Sequence, residues 1–160
     1  MKYIGMISLF LALFILAREH RRMLLARLFE LRAFLDFVRH IRIEIGCYMS
    51  PPDKLCRGFS SPLLSEIGFL PKIESGDSLL DAYVFVSEKL SLHEGEREIL
   101  YRLFSKLGDG YLEDTVKLID EAENKLSPIL SELEEETPKQ IKLSSVLFAT
   151  GGVGTVLLLI

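Results

Sequence analysis

The feature that most constrains this chain is the placement of its charged residues, because both ends are apolar and uncharged. Lys2 is the only charged residue outside residues 18–142, and the runs 3–17 and 143–160 contain no Lys, Arg, Asp or Glu. A helix of 18 residues is roughly 27 Å long, close to the ~30 Å hydrocarbon core of a bilayer. The pattern predicts three segments: a membrane helix over 1–18, a soluble domain over 19–142 and a second membrane helix over 143–160.

The N-terminal run has two interpretations. As a retained membrane helix it is short, about 22 Å, so Lys2 and Arg18 must reach toward the interfaces. As a cleaved signal peptide it offers a basic start, a short apolar core and the small residue Ala17. The retained helix is favoured because the residues before Ala17 form no A-x-A site and the helical apolar pattern continues beyond it.

Basic residues flank both apolar runs on the side of the central segment. Under the positive-inside rule this excess places the middle of the chain in the cytoplasm, with both termini across the membrane. These residues are predicted to be topogenic and to face lipid headgroups: Arg18, Arg21, Arg22, Arg27, Lys139 and Lys142.

Small residues recur at helical spacing in both apolar runs. Such faces let membrane helices approach closely, so we expect the two runs to pack against each other or against a partner. The residues predicted to make this contact are Gly5, Ser8, Ala12, Ser145, Ala149, Gly151, Gly152, Gly154 and Thr155.

The central segment has helical periodicity throughout. From Leu24 to Tyr48 apolar residues recur at steps of three and four, which predicts one core-facing stripe. That stripe comprises Leu24, Leu28, Leu31, Leu35, Val38, Ile41, Ile45 and Tyr48. The fold class is therefore predicted as all-α, a bundle of about five to six helices flanked by an N-terminal and a C-terminal transmembrane helix.

Local signals place the boundaries of the remaining helices. Two short helices are expected around 53–59 and 62–67, followed by a helix capped by Asp77 or Ser78 that reaches Lys89. Ser91 and Glu94 have capping-box spacing and predict a helix from Leu92 to Leu107, with Gly108 as its C-cap. The last soluble helix is expected over 111–136, with a kink or break at Pro128 and a hinge over 134–138.

No motif for catalysis, cofactor binding or metal binding stands out. Cys47 and Cys56 match no zinc spacing, and His40 with Glu44 predicts an ordinary surface pair. The glycine run over 151–154 lacks the lysine and the strand of a phosphate loop. We therefore predict a non-enzymatic protein without cofactor, and the charge pattern does not indicate nucleic-acid binding.

The charges of the central segment are unevenly distributed. Residues 18–42 contain seven arginines and three acids, whereas residues 109–136 contain ten acids and two lysines. The acidic part suits either a basic partner or the chain's own basic helix. Four glutamates near its end, expected at a helix C-terminus where they oppose the macrodipole, are predicted to bind a partner: Glu132, Glu134, Glu135 and Glu136.

Several local sequences occur in a distinctive order along the whole chain: Leu31-Arg32, Ile41, Ile43-Glu44-Ile45, Tyr48 with Pro51-Pro52, Phe104-Ser105-Lys106-Leu107-Gly108, and Lys139 with Lys142 before a Gly-rich and Leu-rich end. Together they resemble the stage III sporulation protein AB family of endospore-forming bacteria. The usual Thr-Pro-Leu after the tyrosine is replaced here by Ser50-Pro51-Pro52, and the acidic position after Leu-Gly is Asp109-Gly110.

The resemblance implies a fold like the helical cytoplasmic domain of type II secretion and type IV pilus platform proteins. It implies a two-pass protein on the mother-cell side of the outer forespore membrane, within a channel complex, without enzymatic activity. The expected partners are a cytoplasmic secretion-type ATPase and other membrane channel subunits. A self-associating membrane scaffold without ATPase contact is the alternative.

Overall fold

The computed structural model describes residues 2–48, 58–107 and 112–159, and in these ranges the chain is all-α, as predicted. The two predicted flanking segments form the outer parts of the first and last helices. Within these ranges no helix qualifies by length and apolarity as a membrane span, so the predicted spans are not confirmed. The helices are α1 Lys2–Tyr48, α2 Pro62–Glu66, α3 Phe69–Glu74, α4 Leu79–Ser87, α5 Glu94–Lys106 and α6 Leu112–Leu159.

Helix α1 buries most of the predicted stripe and two further aromatic residues, while the side chain of Tyr48 lies outside the described part. From Leu28 to Ile45 all six stripe residues are buried, while Leu24 is half-buried. Phe34 and Phe37, which lie beside the stripe, are fully buried as well. The buried face is wider than predicted because α6 packs against α1 along one side and the short helices cover another.

The short helices α2 and α3 form a tight turn against α1. Helix α2 confirms the prediction over 62–67, with Ser61 as N-cap and Pro62 in the first turn, where its missing N–H is not needed. The helix predicted over 53–59 lies largely outside the described residues, and Phe59 is not helical. Helix α3 was not predicted: Gly68 adopts φ +91 and reverses the chain between α2 and α3.

Helix α4 begins as predicted and ends two residues early. The Ser78 hydroxyl accepts a hydrogen bond from the Asp81 N–H at 3.1 Å, and the helix ends at Ser87. Tyr83 and Val86 are buried in the core, whereas Val84 is exposed.

The predicted capping box of α5 was wrong by two residues. The N-cap is His93, whose N–H donates to the Glu96 carboxylate at 2.8 Å, and the helix runs over Glu94–Lys106. Ser91 does not cap it, because its N–H donates instead to the Glu30 carboxylate of α1 at 2.6 Å. The predicted C-cap Gly108 lies outside the described residues.

Helix α6 runs without a break through both of its prolines, so the expected break at Pro128 and hinge before Pro138 are absent from it. A proline inside a helix removes one hydrogen bond and costs about 3 kcal/mol. Burial of Ile119, Leu126 and Leu130 in the core offsets this cost.

Five aromatic rings form the centre of the core and join four helices. Phe34 of α1 lies edge-on to Phe69 of α3 at 5.3 Å and to Tyr83 of α4 at 5.7 Å between ring centroids. Phe37 meets Phe69 at 5.2 Å, and Phe104 of α5 meets Tyr83 at 5.2 Å. These contacts hold α3, α4 and α5 against the same part of α1.

Candidate functional site

Three ion pairs join α1 to α6 and fix the two helices as antiparallel. Arg39 lies seven residues after Arg32 in α1, whereas its partner Glu123 lies eleven residues before Glu134, the partner of Arg32, in α6. The two helices therefore run in opposite directions. Each pair is exposed, so each contributes less than about 1 kcal/mol, but together they set the register. The pairs are Arg32–Glu134 at 2.5 Å, Arg39–Glu123 at 2.8 Å and Arg42–Asp120 at 2.5 Å.

For the acidic part of the chain, the sequence left two possible binding partners, a basic partner protein or the chain's own basic helix. The three ion pairs show that the chain's own helix α1 binds it. The Asp120 carboxylate accepts a hydrogen bond from the Arg42 guanidinium, and this hydrogen bond raises the pKa of Arg42. Because α1 and α6 are antiparallel and continuous, the uncharged runs at their outer ends leave the bundle on the same side.

The four predicted partner-binding glutamates lie in the middle of α6. The expectation that they end a helix was wrong, since α6 continues to Leu159, and the macrodipole argument fails with it. Glu134 binds Arg32, and Glu135 accepts from Lys139 one turn later at 2.6 Å. All four are exposed, including Glu132 and Glu136, and their binding of a partner stays a prediction.

The predicted lipid-facing arginines separate into two groups. Arg18, Arg21 and Arg22 are exposed and line an open groove on α1 together with Leu25, Ala26 and Phe29. Among the described residues these three arginines form no ion pair, in contrast to the four arginines that follow them in α1.

Arg27 instead binds inside the bundle. Its guanidinium pairs with the Glu96 carboxylate at 2.5 Å, with the two side chains 18% and 3% exposed. Glu96 therefore both caps α5 and neutralises a cation of α1. Arg27 was predicted to face lipid headgroups at the membrane boundary, but its guanidinium contacts the N-terminus of α5.

A buried carboxylate lies one turn further along α1. Glu30 is 8% exposed and holds the Ser91 N–H. Burial raises the pKa of Glu30, an effect that the hydrogen bonds from Ser91 and the nearby Arg97 charge oppose. Arg97 in turn donates to the Leu90 carbonyl, and the Tyr83 hydroxyl donates to the Arg97 carbonyl at 3.1 Å, while burial raises the pKa of Tyr83.

These polar contacts hold the α4–α5 connection on α1, and none of them was predicted from the sequence. The one available signal was an acidic residue within the apolar stretch of α1, namely Glu30 between Leu28 and Leu31. Buried charged groups of this kind need partners, but the partners are 61 and 69 residues away in the chain.

The residues predicted for membrane-helix packing lie in the outer parts of α1 and α6. Ser8 and Ala12 are exposed in α1. The side chains of Gly5, Ser145, Ala149, Gly151, Gly152, Gly154 and Thr155 lie outside the described part, so their packing stays a prediction. The boundary residue Lys139 binds Glu135, and Lys142 is exposed.

No group of three His, Cys, Asp or Glu able to hold a metal occurs in the part of the chain that the structure describes. The His40 ring packs against the Phe59 ring, with centroids 5.2 Å apart, and its predicted pairing with Glu44 stays a prediction. The side chain of Cys47 and all of Cys56 lie outside the described residues.

A second cleft, of about 310 Å³, lies between α5 and α6. Its floor is apolar, and its rim carries Glu98, Arg102, Glu121 and Lys125. Lys125 donates to Glu121 at 2.7 Å and lowers the pKa of that carboxyl. The rim charges are balanced in sign, unlike those of the arginine groove.

Comparison with known families gives the chain its assignment. Residues 2–160 match the model of the family described as Stage III sporulation protein AB. The chain belongs to this family. No curated protein and no solved structure matches it.

Membership in the stage III sporulation protein AB family confirms the resemblance and gives structural context to its motifs. The Leu31–Ile45 stretch forms the core face of α1, and Phe104 belongs to the aromatic centre. The departures at Ser50-Pro51-Pro52 and Asp109-Gly110 lie outside the described residues. The family assignment makes this a sporulation stage III protein.

Proposed function

We propose that this chain is a non-enzymatic, membrane-anchored platform of the sporulation channel complex. In this role it recruits a cytoplasmic ATPase of the secretion type and couples it to membrane subunits. The observation that carries the proposal is the architecture of α1 and α6, two antiparallel helices that run unbroken from the bundle into uncharged ends on one side.

Two features of the sequence support the membrane part of the proposal. The end segments 3–17 and 143–160 carry no charge, and basic residues flank them on the inner side. Their small residues suit close packing of two helices in lipid. We assign the mother-cell side of the outer forespore membrane as the location, with the bundle in the cytoplasm.

The bundle suits the transmission of a conformational change. The α4–α5 connection is bonded to α1 through Glu30 and Arg27, so a load on α5 acts directly on the helix that continues into the N-terminal run. Rigid helices with discrete contacts are the elements that carry coupling between distant sites. The exposed carboxylates Glu132, Glu135 and Glu136 are the proposed contact for basic residues of a partner.

Co-purification of the full chain with the cognate ATPase tests the proposal. We expect a complex that is lost on replacing Glu132, Glu135 and Glu136 with lysine but kept in Glu113→Lys, a charge change at the other end of α6 that serves as control. A chain that binds no ATPase and sediments as a concentration-dependent oligomer is the passive scaffold instead. Release of the chain from membranes by alkaline carbonate would overturn the anchoring.

A further inference from the structure

The arginine groove of α1 combines arginines that have no ion-pair partner among the described residues with an exposed apolar surface. Arg18, Arg21 and Arg22 form no ion pair in the described part of the chain, and Phe29 is 46% exposed on the same face. The groove is shallow and open, is formed by residues of α1 alone, has a volume of about 510 Å³, and lies on the side of α1 away from the core stripe. An occupant therefore needs negative charge at one end and an apolar surface at the other.

This inference rests on the membrane anchoring in the proposed function. With that anchoring, the groove extends too far along α1 from the membrane for a lipid to fill it. Phe29 lies twelve residues beyond Ala17, or about 18 Å along the helix axis. The headgroup layer is only about 5–8 Å deep on each side of the hydrocarbon core. Arg18 and Arg22 lie at the level of the headgroups, but Leu25 and Phe29 lie beyond them.

A second copy of the chain in the same membrane is a poor match as well. The pair Arg32–Glu134 sets the level of α6 relative to α1, so the groove lies level with the part of α6 that follows Glu136. The nearest charged residues there are Lys139 and Lys142. Two copies side by side would bring these lysines to the arginines, and like charges disfavour that contact.

We infer that the groove receives a helix of another membrane protein of the complex. That helix carries acidic residues where it leaves the membrane, and these pair with Arg18, Arg21 and Arg22. Two to three turns further on it carries apolar residues, which cover Leu25, Ala26 and Phe29. The contact is of the helix-in-groove type, with apolar anchors at helical spacing and charges that set the direction.

The test uses the full chain in nanodiscs of zwitterionic lipid and two synthetic helical peptides as probes. One peptide carries three glutamates on one face, followed two turns later by two leucines on that face; the other has lysine in place of glutamate. We expect the acidic peptide to bind, the basic one not to bind, and added salt to weaken the complex. Arg22→Gln and Phe29→Ala should each weaken binding about tenfold.

The matched control is Ile43→Ala, because Ile43 is also an exposed apolar residue of α1, at 54%, outside the groove. It should leave binding unchanged; equal loss in both alanine variants overturns the groove assignment. A photo-crosslinking residue at position 29 identifies the neighbour directly. Adducts with the acidic peptide support the inference, whereas adducts with lipid or between two copies overturn it.

Carbonate extraction of membranes, set beside the peptide binding in nanodiscs, separates this inference from the proposed function. Carbonate release of the chain from membranes overturns the proposed function. A chain that stays in the membrane but does not bind the acidic peptide overturns the groove assignment alone.

Discussion

Breaking the Arg27–Glu96 pair should destabilise the bundle far more than breaking a surface pair of the same length. The two pairs Arg27–Glu96 and Arg32–Glu134 both measure 2.5 Å, and both begin on α1. They differ in exposure, 18% and 3% for the first against 45% and 44% for the second. Distance alone therefore predicts equal coupling, whereas burial predicts unequal coupling.

The magnitude follows from what each substitution leaves behind. Arg27→Ala leaves a buried carboxylate that, among the described residues, keeps a hydrogen bond from the His93 N–H, and removing one member of a buried pair costs about 3–5 kcal/mol. The partial exposure of Arg27 reduces this to about 3 kcal/mol. Glu96→Ala strands the cation and also removes the α5 cap, which adds about 1 kcal/mol.

A double-mutant cycle measures the coupling free of these separate costs. Urea unfolding of the full chain in mild detergent, followed by helical circular dichroism, gives the free energy of unfolding of each variant. We expect a coupling of about 2–3 kcal/mol for Arg27–Glu96 and below about 1 kcal/mol for Arg32–Glu134. Equal coupling in the two cycles would refute the reasoning from burial.

Three further predictions follow from the core, from α6 and from the buried carboxylate. Phe34→Ala should cost about 3–5 kcal/mol of unfolding free energy, because the side chain is fully buried among aromatic rings, while the exposed Phe85→Ala should cost less than about 1 kcal/mol; equal losses by urea unfolding would contradict this. Pro128→Ala should stabilise the chain by about 1–3 kcal/mol by restoring a helical hydrogen bond, and a lower melting temperature would count against an unbroken α6. Since the pKa of Glu30 is raised on folding, the stability linked to it is present below the ordinary glutamate pKa and is lost as pH rises through the raised one. The free energy of unfolding of Glu30→Gln should therefore rise relative to that of the unsubstituted chain as pH increases from 4 to 8. Parallel profiles of unfolding free energy against pH for the two proteins would exclude the linkage.

The long helices could be predicted because their signals are local and repeated. The spacing of apolar residues predicted the stripe of α1 that is buried from Leu28 to Ile45. The extra buried residues Phe34 and Phe37 could not be predicted, since their burial depends on which elements fold back onto the second side of α1.

Caps and breaks were predicted less well because they depend on competition between distant groups. Ser91 has the spacing of a cap, but its backbone N–H donates to Glu30, and the Glu96 carboxylate places the cap at His93 instead. Pro128 has the signature of a break, but the packing of α6 against α1 outweighs the lost hydrogen bond. In both cases a tertiary contact overrides a local rule.

The charge asymmetry of the sequence indicated the pairing of α1 with α6 without fixing its extent. Seven arginines over 18–42 suit either lipid headgroups or the acidic helix, and composition alone does not assign each one. The structure divides them: four, from Arg27 onward, bind carboxylates of the bundle, and the three before it form no ion pair with any residue of the ranges 2–48, 58–107 and 112–159 that the structure describes. Because the acidic residues of α6 do not extend beyond Glu136, no carboxylate of that helix lies level with Arg18, Arg21 and Arg22. Their charge is therefore available to an outside partner, and that partner must be negative.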